Sequence, residues 1–354
     1  MKKREFVRNV HILNYAISKK GDVFLKRSYY IYNNGQIQRK DNTLRFINSE
    51  NETKDIPIEQ VEDLYIMSEM KFNTKFINFA SQYNIPIHFF NYYSFYTGSF
   101  YPKEDLLAGN LLVKQVRSYE DEEKRICIAR KFIDAAAANI YRNLRYYNGR
   151  GKDVEKVMIE IESLRKKILK TETINELMGI EGNIRKQYYS AWNTIVDQKI
   201  DFEKRVKNPP DNMINTMISF VNGLVYTRVL GEIYRTQLNP TISYLHEPGV
   251  RRFSLSLDLA EVFKPILGDR LIFSLLNKNQ ITPSCFTKEL NYLHLTKDAS
   301  RTISMKFDEM LKTTIHHKEL DKDVTYQHLI RLECYKLIKH IMGEKEYEGF
   351  KIWW

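Results

Sequence analysis

Tyr29-Tyr30-Ile31-Tyr32-Asn33-Asn34-Gly35 is a short β-prone run that stops on a turn signal. Aromatic and β-branched side chains suit a pleated, half-buried surface. Asn and Gly tolerate the positive φ of a tight turn. Working outward, the same grammar recurs at Val23-Phe24-Leu25, Leu44 to Ile47, Ile56 to Ile58 and Leu64 to Met67, with Asn42 and Asn48 to Asn51 between them. This spacing predicts a small, sandwich-like β domain of short antiparallel strands. Phe72 to Tyr83 then reads as a helix and Ile85 to Phe89 as a strand. The boundaries expected are a β domain over 1–92, a Tyr- and Ser-rich linker over 93–103 containing Gly98 and Pro102, and a larger all-α domain over 104–354. Helical spacing marks Asp121 to Leu144, Val154 to Leu169, Glu172 to Ile200 (interrupted near Gly179 and Gly182), Asn212 to Gln237, a stretch from Leu255, and Thr325 to Met342. The fold class expected is α+β.

Composition sets outer limits. With 354 residues, 43% hydrophobic and 13% aromatic, the chain can bury a sizeable core, and disordered or fibrous classes are excluded. Lys+Arg 55 against Asp+Glu 44 gives a formal charge of +11, a balance that fits a polyanionic partner, most often nucleic acid. Cys127, Cys285 and Cys334 lie far apart, form no CxxC and make an odd count, so a reducing cytoplasm is expected. The basic start Met1-Lys2-Lys3-Arg4 leads into no apolar segment, and no run of about 18 apolar residues follows, so neither a signal peptide nor a membrane span is expected.

Two constellations carry chemistry. In the first, Glu181 lies between Gly179 and Gly182 inside a helical pattern, with Arg185 and Tyr188 on the same face. Two glycines so close, each costing about 1 kcal/mol against alanine, call for a reason such as close approach of a backbone or ligand. A Glu–Arg surface pair beside packing glycines is the plainer alternative. In the second, His246 sits at a loop before Pro248-Gly249, and Asp258 and Glu261 share one helix face. Like charges on one face repel unless a cation lies between them. Two carboxylates and an imidazole suit Mn²⁺ or Mg²⁺, the imidazole tilting toward manganese. Acidic residues complementing a helix N-terminus are the alternative. Arg142 to Arg150 and Lys166, Lys167 and Lys170 could contact phosphates or form a solvated face.

Taken in order, Gly179 to Gly182, then Pro209, Pro210, Asp211, Asn215 and Ser219, then Leu245 and His246, then Ser254 to Pro265, and finally Leu329 to Glu333, the chain resembles CRISPR-associated protein 1, the integrase of spacer acquisition. The resemblance spans nearly the whole chain. It implies metal ligands at Glu181, His246 and Glu261, with Asp258 on the same helix as a further or alternate ligand for Mg²⁺ or Mn²⁺. It also implies joining of the 3′-hydroxyl ends of short duplex DNA to a CRISPR repeat by transesterification, with DNA endonuclease activity. Arg185, Arg251, Arg252 and Lys264 are then expected at phosphates, and Tyr188 and Tyr189 positioning DNA or supporting the ligand. The partners implied are double-stranded DNA, a second copy of the chain, and a dimer of CRISPR-associated protein 2. A hydrolytic nuclease of branched DNA, or a DNA-binding scaffold without catalysis, are the rival readings.

Overall fold

A computed structural model describes residues 26–103, 106–207, 209–249, 253–289, 292–317 and 319–353. Val23 to Leu25, Arg251 and Arg252 lie outside the described residues. The N-terminal region is built from two four-stranded sheets. One has the order β1 (Arg27–Ile31), β5 (Val61–Ile66), β7 (Ile87–Phe90), β8 (Tyr96–Phe100). The other has the order β4 (Thr53–Pro57), β3 (Thr43–Asn48), β2 (Gly35–Lys40), β6 (Met70–Lys71). Pairing is mixed rather than purely antiparallel: β1–β5, β5–β7 and β2–β6 run parallel. The parallel β5–β7 pair follows from helix α1 (Thr74–Gln82), which carries the chain back to the other end of the sheet. Asn33-Asn34-Gly35 links one sheet to the other. The two-residue hairpin is at Asp41-Asn42 instead, where Lys40 pairs with Thr43. Gly35 is required by close approach, since a Cβ there would lie 2.0 Å from the Ile47 carbonyl oxygen. Residues 96–100, within the stretch expected as a linker, form edge strand β8.

The period-2 alternation of the central strands sends their side chains into two cores. Leu64, Ile66 and Ile87 join Ile37, Leu44, Phe76 and Phe79 between the sheets and α1. Tyr65 and Phe90 point the other way, into the core of the helical region. Asp63 and His88 are also fully buried on β5 and β7.

The helical region comprises α2 (Gly109–Glu120), α3 (Glu122–Asn148), α4 (Glu155–Ile168), α5 (Ile174–Ser190), α6 (Met213–Tyr234), α7 (Ser254–Phe263), α8 (Arg270–Asn277), α9 (Lys297–Lys312) and α10 (Tyr326–Met342). Two short hairpins interrupt it, β9 (Phe286–Glu289) with β10 (Tyr292–Leu295), and β11 (Thr314–His317) with β12 (Lys322–Thr325). Helix α6 is apolar nearly all round, as a central helix must be, and α7 and α10 pack against it. A π-helical segment, Lys264–Asp269, joins α7 to α8. Its cause is Pro265, which has no N–H to donate to the preceding turn. Two buried asparagines one turn apart on α3 stabilise the carbonyls beside it: Asn139 donates to Val262 O at 3.0 Å and Asn143 to Pro265 O at 2.8 Å.

Candidate active site

Helix α5 starts on a capping box, Thr173 with Glu176, and buries Leu177, Ile184 and Tyr188. That leaves Glu181 on its partly open flank, with a side chain 26% exposed. Gly179 and Gly182 do not break the helix, and a Cβ at either would meet no described atom within 4 Å. The glycines therefore accommodate nothing within the described chain and keep the surface beside Glu181 low.

Asp258 and Glu261 project from α7, and both are buried, which removes the reading of a solvated helix start. Asp258 faces inward. Its carboxylate accepts the backbone N–H of Tyr244 at 2.6 Å, of Leu245 at 2.9 Å and of His246 at 2.9 Å. Its Oδ1 also takes the His246 ring at Nδ1, at 2.8 Å. An ionised carboxylate only accepts, so Nδ1 carries the proton and Nε2 is the nitrogen with a lone pair. With both oxygens saturated, Asp258 orients the histidine and shapes the 244–246 loop. Between the two acidic residues of α7, Glu261 is the one whose contacts are all to cations.

Glu261 is held from two sides. Arg185 Nη2 donates to Oε2 at 2.6 Å, and the Lys264 ammonium contacts Oε1. Burial would raise its pKa, but Lys264 and Arg185 outweigh that and hold the carboxyl well below the usual range, with His246 contributing. Arg185 also donates through Nε to Glu181 Oε1 at 3.3 Å. The structure thus places Glu181 and Glu261 on one guanidinium, with His246 close enough to act on the Glu261 charge. Among the described residues no three His, Cys, Asp or Glu side chains converge, as they stand, to hold a metal ion. The donor set of two carboxylates and an oriented imidazole nevertheless fits a hard divalent cation, and Arg185 and Lys264 bring positive charge to its carboxylates.

Other expected site residues fall differently. Arg185 and Lys264 pair with carboxylates rather than face open surface. Tyr188 is fully buried, and its hydroxyl accepts from Asn143 Nδ2 at 3.2 Å, so it supports the site from the core and cannot stack on DNA. Tyr189 packs on Trp192 and Phe202. Two residues escaped the sequence reading. Asp269, at the end of the π segment, is buried, and burial pushes its carboxyl up to about 7 against the lowering charges of Arg185 and Lys264. Arg205 is held by Asn215 Oδ1 at 3.1 Å and Ser219 Oγ at 2.7 Å, which gives those two motif residues a structural task. Asp269 lies eight residues past Glu261, about two helical turns, and that spacing was its available signal.

Comparison with known proteins gives one answer. Residues 29–309 match the family described as CRISPR associated protein Cas1. The chain is 64% identical over 334 residues to the CRISPR-associated endonuclease Cas1 of Fusobacterium nucleatum, covering 94% of this chain and 99% of that one. Among solved structures it resembles a Cas1 protein from Thermotoga maritima, with a TM-score of 0.82 at 38% identity, over 92% of this chain and 100% of that one. A casposase bound to integration product shares the fold, with a TM-score of 0.81 at 21% identity, over 91% of this chain and 92% of that one.

Proposed function

This chain belongs to the CRISPR-associated protein Cas1 family, and from that membership we propose that it is a divalent-metal-dependent DNA integrase and endonuclease of CRISPR adaptation. It joins the 3′-hydroxyl ends of short duplex DNA to the CRISPR repeat by transesterification. The observation that carries the reading is the pairing of Glu181 and Glu261 on Arg185 beside a histidine locked by Asp258.

Glu181, His246 through Nε2, and Glu261 would hold Mg²⁺ or Mn²⁺. When bound, the cation activates the attacking oxygen and offsets charge developing on the phosphate. The chain's own groups prepare that site. Asp258 keeps the proton on Nδ1 and the ring in place. Against the effect of burial, the counter-charges of Lys264 and Arg185 keep Glu261 ionised, and therefore a competent ligand, throughout the neutral range. Water and a 3′-hydroxyl differ only as nucleophiles, so the same residues serve hydrolysis, in accord with the endonuclease name of the Fusobacterium relative. A hydrolytic nuclease is accordingly the second reading.

Double-stranded DNA is held mainly through phosphates, for which the +11 charge and the exposed Arg145, Arg150, Lys166, Lys167 and Lys170 are suited. The partners proposed are a second copy of the chain, through the β region, and a dimer of CRISPR-associated protein 2. A cytoplasmic site of action is part of the proposal; the three cysteines are free, and no helix among the described residues is long and apolar enough to cross a membrane.

The deciding experiment mixes the protein, with and without CRISPR-associated protein 2, with a labelled 3′-hydroxyl duplex, a supercoiled plasmid carrying a repeat, and Mn²⁺ or Mg²⁺. Label joined covalently to the plasmid, and absent with Glu181→Ala of unchanged melting temperature, is the expected result. Nicking without joining would favour the nuclease. No metal-dependent product would leave a DNA-binding scaffold.

A further inference from the structure

Asp269 has no part in the chemistry above, yet it is 3% exposed and its Oδ2 accepts no hydrogen bond among the described residues. A buried carboxyl oxygen that accepts no hydrogen bond calls for an explanation. The cation facing it is Arg185, whose Nη1 lies 3.8 Å from Oδ2. The three faces of that guanidinium meet three carboxylates: Nε is 3.3 Å from Glu181, Nη2 is 2.6 Å from Glu261, and Nη1 looks toward Asp269. Two of these are hydrogen bonds and the third falls about an ångström short of one. The two bonded carboxylates are the proposed metal ligands.

A cation taking Glu181 and Glu261 has to displace Arg185. The arginine side chain is only 12% exposed, so release leaves a buried charge without a counter-ion unless another carboxylate receives it. We infer that Asp269 is a positioning residue for metal loading: it receives the Arg185 guanidinium as the cation takes Glu181 and Glu261. The exchange makes and breaks ion pairs only. Arg185 serves the metal-free site as a stand-in cation, and Asp269 holds it aside when the metal is present. Asn143, on the Tyr188 hydroxyl and the Pro265 carbonyl, fixes the π segment that delivers Asp269 to this place. The inference rests on the metal-site reading.

The test is Mn²⁺ binding to the full chain at fixed pH, by calorimetry and by the electron paramagnetic resonance of free Mn²⁺, for wild type, Asp269→Asn, Arg185→Gln and the double variant. Asp269→Asn should bind about ten- to hundredfold more weakly, the range for removing a group behind metal ligands. In the Arg185→Gln background, where no guanidinium needs a receiver, the same change should cost about threefold or less. No binding by wild type, or equal binding by Glu181→Ala, overturns the metal-site reading itself. Binding by wild type with no loss in Asp269→Asn, or an equal loss in both backgrounds, overturns this inference alone. Should Arg185→Gln fail to fold in a melting scan, a crystal grown with Mg²⁺ decides. Arg185 Nη1 within hydrogen-bond distance of Asp269, and off Glu261, is the expected result; unchanged pairing overturns it.

Discussion

Asp258 shows how much one side chain can organise. Replacing it by Asn keeps the shape but leaves one acceptor oxygen for donors that now engage two. Asp258→Asn should lower stability by about 2–3 kcal/mol in urea, as expected when hydrogen bonds to a charged group are lost. Mn²⁺ affinity should fall at least tenfold, because the imidazole loses its orienting partner. Asp269 predicts a pH effect of opposite sense to the usual carboxylate. Its folded pKa, raised by burial to about 7, lies above the group's ordinary value of 3.8. Between those values the folded state holds the proton that the unfolded chain has lost, so its contribution to stability falls as pH rises from about 4 to 7. Arg185, Lys264, Glu261 and Tyr188 are the groups acting on it. Denaturation of metal-free protein across that window should show the decline, and Asp269→Asn should flatten it. Glu181, His246, Asp258 and Glu261 were legible from the sequence because their spacing and neighbours follow a known order. The inward role of Asp258 was not legible, since its donors are backbone groups 12–14 residues away. Nor was the sharing of Arg185, which joins helices 76 residues apart.

Helix α5 runs unbroken through Gly179 and Gly182, where local propensity had suggested an interruption. Each glycine costs about 1 kcal/mol, a deficit offset by the capping box at its start and the buried face of Leu177, Ile184 and Tyr188. Gly182→Ala should therefore raise the melting temperature by a few degrees, since the new methyl meets nothing in the described chain. If DNA lies on this low surface, the same variant should lose strand joining at least tenfold with little change in Mn²⁺ affinity. Unchanged joining would show that the surface stays clear of substrate. The long helices were readable from their periodicity. The hairpins β9–β10 and β11–β12 were not, because four-residue strands carry too few alternations to distinguish from loop. The π segment was signalled only by Pro265, which by itself also permits a kink or an end.

Across the whole molecule, the change from short alternating runs to helical spacing made the two regions readable, but the way they join was not. The joint is a buried cluster of charges. Arg228 on α6 donates to Asp63 on β5 at 2.9 Å, although 165 residues separate them. Arg235 reaches the Glu62 carbonyl at 3.2 Å, and Arg331 on α10 donates to Glu232 at 2.7 Å. Burial would raise Asp63 and Glu232, yet the arginines hold both carboxyls below their ordinary values. Groups lowered in this way stabilise the fold above about pH 4 and lose that effect as acid protonates them. Asp63→Ala should cost about 3–5 kcal/mol by removing the hydrogen-bonded counter-ion of the buried Arg228, which keeps only Glu232 at 4.0 Å, while Asp63→Leu with Arg228→Met should recover most of it. Thermal melts of the three proteins would check this. Such a joint also bears on inheritance. A recombinant that takes its sheets from one relative and its helices from another receives the Arg228–Asp63 and Arg235–Glu62 ion pairs from two parents. Unless both carry matching charges at 62, 63, 228 and 235, the hybrid inherits a bare charge at its centre. The two halves are thus bound to evolve as one gene segment, however separable their secondary structure makes them look.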